Sequence, residues 1–332
     1  MILRMAEAQP SSTSTPDVQS PAPYVCPSWT AIMQEHDIVE KQRAKRLELL
    51  RKLAKKEYNN GKTKNAVVCH VTRENMMGSG LETTDIPVLG NVLKSVGDVD
   101  VLNLILHSPG GDGTCVEKFV ALCRNQCKQF RVIIPYMAKS AATMIALGAD
   151  QIVMGPSSEL GPIDAQVPVV SAGFHKYLSA QSFIDARDSL LKQYAEAKKK
   201  KMDTRPILQM IATLDVPHIE ECQRLMDFGR DVVKKLLEAN MFQRHPNKAA
   251  EAQKAADMLT SVQMHKVHGR QIDGATARRE LGLNVKLLAK GDEFWQLVWE
   301  YYTRSVIFLG GIGAPKMFET EHEALTAAIQ KS

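Results

Sequence analysis

The sequence has few of the signals that mark membrane-spanning or disulfide-stabilised proteins. Its 332 residues contain no run of about 18 apolar residues, the length that a transmembrane helix requires. The most apolar late segment, 294–309, carries Glu300 and Arg304 within it. The six cysteines lack the short spacings of a disulfide framework, and residues 1–27 are rich in Ser, Thr, Pro and Ala, unlike a secretory signal. We therefore expect a cytoplasmic protein without a membrane span.

The chain also has few aromatic residues and a small net charge, which argues against a nucleic-acid-binding protein. Aromatic residues make up 6% of the chain, and the formal net charge is only +5. The basic residues cluster in 41–56 and 198–201 and do not alternate with aromatic residues, as they would along a nucleic-acid groove. A hydrophobic content of 44% and a charged content of 24% are typical of a soluble globular protein.

Motifs for nucleotides and metals are incomplete. Residues 60–63 resemble the end of a phosphate-binding loop, but Lys56 stands where that loop requires its first glycine. His265 and His268 are spaced like two metal ligands, yet the nearby sequence offers no third ligand. We therefore predict neither a cofactor nor a metal.

Four segments can be distinguished along the chain. We predict a flexible tail over 1–28, a basic amphipathic helix within 29–60, a main domain over 61–310 and a C-terminal tail over 311–332. The basic helix could lie on an anionic membrane as a peripheral contact, pack on a neighbouring subunit, or simply remain solvated.

Strand-like runs alternate with helical patterns in the first part of the main domain, which indicates parallel strands in an α/β core. The predicted strands are 66–71, 99–106, 130–136 and 151–154, and the predicted helices between them are 87–96, 113–128 and 140–149. After Pro168 the sequence is almost wholly helical, which predicts a helical C-terminal extension. Its predicted helices are 179–200, 205–213, 217–241, 247–263, 274–281 and 292–308.

Two motifs in this core have the chemistry of acyl transfer. The second strand ends in His107-Ser-Pro-Gly-Gly, and Ser140 opens a helix of small residues. Gly110 and Gly111 let the backbone approach a substrate carbonyl closely and direct N–H groups toward it. Ser140 follows Gly111 by 29 residues, a spacing that suits a strand-helix-strand return to the same sheet edge. Helix N-capping by Ser140 is the competing interpretation, but the spacing favours a nucleophile.

The order Ser-Pro-Gly-Gly, helix, strand, small-Ser-small, helix, Ala-Asp-x-Ile-x-Met resembles the ClpP/crotonase superfamily. Within it, the chain is most similar to signal peptide peptidase A-like and serine dehydrogenase proteinase-like serine peptidases, over 65–164 and more weakly to Leu283. The resemblance implies a core of repeated β-β-α units, a protein or peptide substrate and a homo-oligomer. It also implies that Gly111 and Ala141 donate the oxyanion-hole N–H groups to an intermediate formed on Ser140.

We expect the general base to come from outside a Ser-His-Asp triad. Where ClpP-like enzymes place their histidine, this chain has Gly-Pro-Ile-Asp at 161–164, so we do not expect a Ser-His-Asp triad. A lysine can serve only if burial lowers its pKa from about 10.4. The run 198–201 reads as solvated, and Lys139 diverges in direction from the adjacent Ser140, so Lys139 should line the cleft or pair with an acid.

Lys192 is the base that we favour, in a Ser–Lys dyad with Ser140. It lies on the first helix after the core, at a separation from Ser140 like that in signal peptide peptidase A-like enzymes. Lys176 and a histidine such as His175 or His268 remain alternatives. Two other functions also stay open: a crotonase-type acyl-CoA enzyme, which shares the glycine-rich oxyanion architecture, and a non-catalytic scaffold.

Overall fold

The computed structural model describes residues 24–35, 40–56, 63–171, 174–261 and 270–326. Within these ranges the chain forms one large sheet with helices on both faces, a small sheet and a hairpin. None of the helices in the described part is long and apolar enough to cross a membrane.

A mixed sheet forms the centre of the fold. Its strands, among the described residues, are β1 (Asn65–Thr72), β2 (Val99–His107), β3 (Cys127–Ile134), β5 (Gln151–Met154), β10 (Val285–Leu287), β11 (Lys316–Glu319) and β12 (Ala324–Thr326). They are arranged in the order β10-β5-β3-β2-β1-β11-β12. The five strands from β10 to β1 pair in parallel, which confirms the predicted α/β core, and β11 and β12 add antiparallel pairs at one edge.

The remaining strands are short. They are β4 (Met137–Ala138), β6 (Glu159–Leu160) and β9 (Ile272–Asp273), which form a three-stranded sheet, and the antiparallel hairpin of β7 (Gln166–Ser171) and β8 (Phe174–Ser179).

Helices connect and cover these strands. They are α1 (Trp29–Met33), α2 (Glu40–Lys56), α3 (Asp85–Val96), α4 (Val116–Asn125), α5 (Ala141–Leu147), α6 (Ala180–Lys199), α7 (Arg205–Ala212), α8 (Val216–Ala239), α9 (Lys248–Thr260), α10 (Gly274–Arg279) and α11 (Glu293–Ile312). Most of the predicted helices are confirmed to within a few residues.

The alternating residues of each central strand enter two separate cores. Val68 and Leu104 face the core that contains α3, α4 and α5, whereas Val67, Ile105 and Ile133 face α2 and α11. Because both faces of the sheet are covered, its strands read as continuous apolar runs, and this made them predictable.

The C-terminal tail predicted over 311–332 is wrong for its described part. Residues 316–319 form β11, which pairs with β1 through Cys69 opposite Glu319 and Thr72 opposite Lys316. Arg46 of α2 donates two hydrogen bonds to the buried Glu319, at 2.9 and 3.0 Å. The segment is therefore an integral edge of the sheet, and α2 packs directly on the core.

The expectation that the chain is almost wholly helical after Pro168 also needs correction. Residues 166–171 and 174–179 form the paired strands β7 and β8 before α6 begins. The pattern is hard to recognise because part of the hairpin is exposed: Val170 is 64% and Tyr177 70% accessible. The hairpin, α6 and the first half of α8 share a small core of their own, which includes Val167, Ile184 and Ile219.

Candidate active site

A cleft of about 580 Å³ lies at the carboxyl end of the parallel strands, the edge at which open α/β sheets hold their sites. Ser140 and Gly111 both line it, as do Asp164 at the side and Phe228 on α8. Two motifs far apart in sequence are thus brought to one cavity. An added Cβ on Gly110 would lie 2.9 Å from Ser140 Cβ, which shows how closely they approach.

Ser140 occupies a strained backbone conformation directly before α5. Its φ is 47° and its ψ is −116°, which a residue with a side chain rarely adopts. Such strain costs on the order of 1–3 kcal/mol and persists only where the surroundings enforce it. The side chain of Ser140 makes no helix-capping hydrogen bond, so the capping interpretation loses its physical basis.

Thr143 fixes the turn around Ser140. Its hydroxyl donates to the carbonyl of Ala138 at 2.7 Å and accepts from the N–H of Gly161 at 3.1 Å. The N–H of Lys139 donates to the Ser108 carbonyl at 3.1 Å, which ties the turn to the end of β2. All seven residues of α5 are buried, so the helix beneath Ser140 has little freedom to move.

The glycine pair forms a tight turn beside Ser140. Gly110 and Gly111 have φ values of 105° and 138°, a region that favours glycine. The N–H of Leu81 donates to the Gly110 carbonyl at 2.7 Å, and the N–H of Asp112 donates to the Leu81 carbonyl at 2.8 Å. The turn is thus paired to residue 81 as a parallel bridge.

This pairing leaves the Gly111 N–H available. A parallel bridge uses the groups that flank Gly111, so its own N–H is directed away from Leu81. Ala141, as the first residue of α5, also has no intrahelical acceptor for its N–H. Neither N–H donates to a partner within the described ranges. Two such donors next to a serine hydroxyl have the composition of an oxyanion hole.

Lys139 is paired with an acid, as one of the sequence alternatives predicted. Its Nζ lies 2.5 Å from Oε1 of Glu159, and each side chain is only 12% exposed. The stem of Lys139 also covers Gly161, where an added Cβ would fall 2.5 Å from Lys139 Cδ. Lys139 is therefore directed away from the cleft despite being the neighbour of Ser140 in sequence.

The structure does not bring Lys192 to the cleft of its own chain. Lys192 is exposed on α6, 12 residues after Ala180, which corresponds to about 18 Å along the helix axis. Lys176 on β8 is exposed as well. The side chain of His175 lies outside the described part of the chain, as do His265 and His268 entirely. Within the described part, the cleft lining includes no lysine and no histidine.

Asp164 is a buried acid at the side of the cleft. In the sequence it was notable only because it lies in the loop where ClpP-like enzymes have their histidine. It is 5% exposed and accepts hydrogen bonds from Ser179 Oγ at 2.7 Å and from Gln166 Nε2 at 2.8 Å. Asp112 lies at the opposite rim. Burial acts to raise the pKa of Asp112, but hydrogen bonds from Thr114 and Thr83 outweigh it, so the pKa is lowered.

Apolar side chains line much of the rest of the cleft. They are Leu81, Met144 of α5, Ile163, and Leu225, Met226 and Phe228 of α8. The arrangement can hold an acyl group in an apolar recess with its carbonyl near Ser140 and the two unpaired N–H groups.

Comparison with known proteins gives a family match over most of the chain. A family model described as ClpP-like SDH-type serine proteinase matches residues 31–287. Two curated proteins of Methanocaldococcus jannaschii match shorter stretches: the uncharacterized protein MJ1495 is 29% identical over 120 residues, and MJ0137 is 38% identical over 66 residues. The matches cover 36% and 20% of this chain, and the chain spans only 36% and 23% of the lengths of these two relatives.

The solved structures to which the chain is similar include a protease and a probable enoyl-CoA hydratase/isomerase. A serine-to-alanine mutant of the 1510-N membrane-bound stomatin-specific protease is 12% identical, with a TM-score of 0.37, over 63% of this chain and 75% of that chain. A probable enoyl-CoA hydratase/isomerase from Mycobacterium abscessus is 10% identical, with a TM-score of 0.32, over 76% of this chain and 78% of that chain.

Proposed function

The chain belongs to the family of ClpP-like SDH-type serine proteinases, and from this premise we propose that it cleaves peptide bonds through an acyl-enzyme on Ser140. Membership of this family confirms the resemblance to the ClpP/crotonase superfamily that the two motifs indicated. The substrate in this proposal is a protein or peptide, and the site of action is the cytoplasm.

One observation carries the proposal: Ser140 in a strained conformation lines the cleft together with Gly111, and the N–H of the next residue, Ala141, has no partner within the helix. Ser140 Oγ attacks the scissile carbonyl, and the carbonyl oxygen becomes negatively charged. The N–H groups of Gly111 and Ala141 donate to that oxygen. The general base takes the Ser140 Oγ proton during the attack and passes it to the nitrogen as the C–N bond breaks, so the amine leaves and the acyl group stays on Ser140. Water then hydrolyses this ester by giving a proton to the same base, which returns it to Ser140 Oγ.

The base in this proposal is Lys192, acting across two copies of the chain. Within one chain Lys192 is exposed on α6 and is not among the residues that line the cleft. A lysine can act as the base only where burial lowers its pKa. A neighbouring copy that covered the cleft would place its own Lys192 beside Ser140. The same contact would bury that lysine. Burial would lower the lysine pKa as the chemistry requires. The Ser–Lys dyad therefore requires a homo-oligomer.

An experiment can test the identity of the general base independently of the nucleophile. If a histidine such as His175 or His268 of the same chain were the base instead, Ser140 would still be acylated in a monomer. A monomeric variant that retains acylation would exclude the intersubunit lysine while leaving Ser140 as the nucleophile.

The test of the proposal is labelling with a fluorophosphonate probe followed by peptide mapping. We expect a single adduct on Ser140 in the wild type and none in Ser140→Ala. Ser189→Ala, an exposed serine on α6, is the matched control and should label normally. Peptide hydrolysis should disappear only in Ser140→Ala. A folded Ser140→Ala variant with full hydrolysis would refute the proposal, and acyl-CoA turnover without labelling would support the crotonase-type alternative.

A further inference from the structure

A short segment between β1 and α3 clamps the glycine turn of the site. Leu81 bonds to both sides of Gly111, through the carbonyl of Gly110 and the N–H of Asp112. The contact is so close that a Cβ on Gly111 would lie 2.4 Å from both the nitrogen and the oxygen of Leu81. The position of the Gly111 N–H is therefore set by the position of residues 80–82.

Two buried charged side chains hold this segment in turn. Lys316, the first residue of β11, donates from Nζ to the Gly80 carbonyl at 2.8 Å and to Asp85 at 2.9 Å. Asp85, at the start of α3, accepts from the N–H of Glu82 at 2.9 Å. Both side chains are buried, at 3% accessibility each, and neither lines the cleft.

The ion pair thus bridges the antiparallel edge of the sheet and the glycine turn. Lys316 lies opposite Thr72 on β1, so its backbone is fixed by the central sheet. Its ammonium group contacts a backbone carbonyl only one residue from Leu81. Packing alone does not explain a buried lysine at this position, because its charge needs a partner where water is excluded.

We propose that Lys316 and Asp85 are positioning residues of the catalytic site, which hold the Gly110–Gly111 turn in place through Gly80 and Leu81. The inference rests on the proposed function for its catalytic part. Loss of the pair frees residues 80–82, and the Gly111 N–H then moves out of line with the oxyanion. Neither Lys316 nor Asp85 lines the apolar recess, so ground-state binding changes only through Leu81 and by less than transition-state binding.

The test compares two double variants that each remove a buried ion pair. Lys316→Met with Asp85→Asn removes the proposed brace and leaves no lone buried charge. Arg46→Met with Glu319→Gln removes an equally buried pair, 1% and 0% exposed, that does not contact residues 80–82. Thermal unfolding is measured for both, so that a general loss of stability is seen in each.

Hydrogen exchange of the Leu81 and Asp112 amides gives a readout that does not depend on activity. We expect both amides to exchange at least about tenfold faster in the Lys316→Met/Asp85→Asn variant and at the wild-type rate in the control pair. Unchanged exchange in the first variant would overturn the proposal.

Kinetics test the catalytic part. In the Lys316→Met/Asp85→Asn variant, kcat should fall about tenfold or more, KM should change by a smaller factor, and affinity for a peptide boronate should fall with kcat. Faster exchange with a wild-type kcat would overturn the positioning role. If the wild type itself does not acylate, the proposed function fails, and the exchange rates alone decide whether the pair holds the turn.

Discussion

Replacing Gly111 by alanine should disable the site by displacing one oxyanion donor. The added Cβ would lie 2.4 Å from the backbone of Leu81, and no flexible side chain can move to relieve it. The φ of 138° is itself unfavourable for alanine. The turn must therefore separate from residue 81 and lose the hydrogen bonds of 2.7 and 2.8 Å that join them.

The magnitude follows from these contacts. Two hydrogen bonds contribute about 1 kcal/mol each, and residual backbone strain adds about 1 kcal/mol, so the free energy of unfolding should fall by about 3 kcal/mol. Loss of one oxyanion donor should lower the acylation rate about 100- to 1,000-fold, which corresponds to about 2.7–4 kcal/mol.

The assay is single-turnover acylation with an activated ester, together with thermal unfolding. Gly90→Ala is the matched control, because an added Cβ at this position in α3 meets nothing within 4 Å. Alanine is also favoured there by up to about 1 kcal/mol in a helix. If Gly111→Ala acylates as fast as Gly90→Ala, the Gly111 N–H does not stabilise the oxyanion and the assignment is wrong.

Three further predictions concern the base and the stability of the fold. Lys192→Met should abolish turnover whereas Lys176→Met should not, and equal acylation rates would show that Lys192 is only a solvated residue. The rate of acylation of Ser140 should rise with pH through an apparent pKa of about 7 to 9 if a lysine is the base, whereas a profile governed by a group near 6.5 would identify a histidine. A hydrogen bond from Arg304 lowers the pKa of Glu35 from 4.5 to about 2. The contribution of this pair is therefore complete above pH 4.5 and is lost as the pH falls toward 2, so the difference in melting temperature between wild type and Glu35→Gln should shrink over that range.

The parts of the fold that sequence could predict are those with strong local patterns. The strands predicted at 66–71, 99–106 and 151–154 are largely apolar runs, because both faces of the sheet are covered. The two site motifs were also predictable, since glycine at positive φ and a serine before a helix of small residues leave a clear pattern in the sequence.

Other elements depend on contacts that no local pattern encodes. The strand at 316–319 is four residues long, and it is held by antiparallel pairing with β1 on one side and β12 on the other. The pairing of Lys316 with Asp85 joins residues 231 positions apart, so neither residue attracts notice in the sequence. The sequence separation from Ser140 that favoured Lys192 says nothing about which copy of the chain its side chain meets.

The most direct test of the central claim is the capture of the acyl-enzyme. The protein is mixed with an activated peptide ester, quenched in acid during the burst and examined by intact mass and peptide mapping. We predict one acyl group per active chain, attached to Ser140, and none in Ser140→Ala. An acyl group on another residue, or hydrolysis at the wild-type rate by Ser140→Ala, would contradict the account.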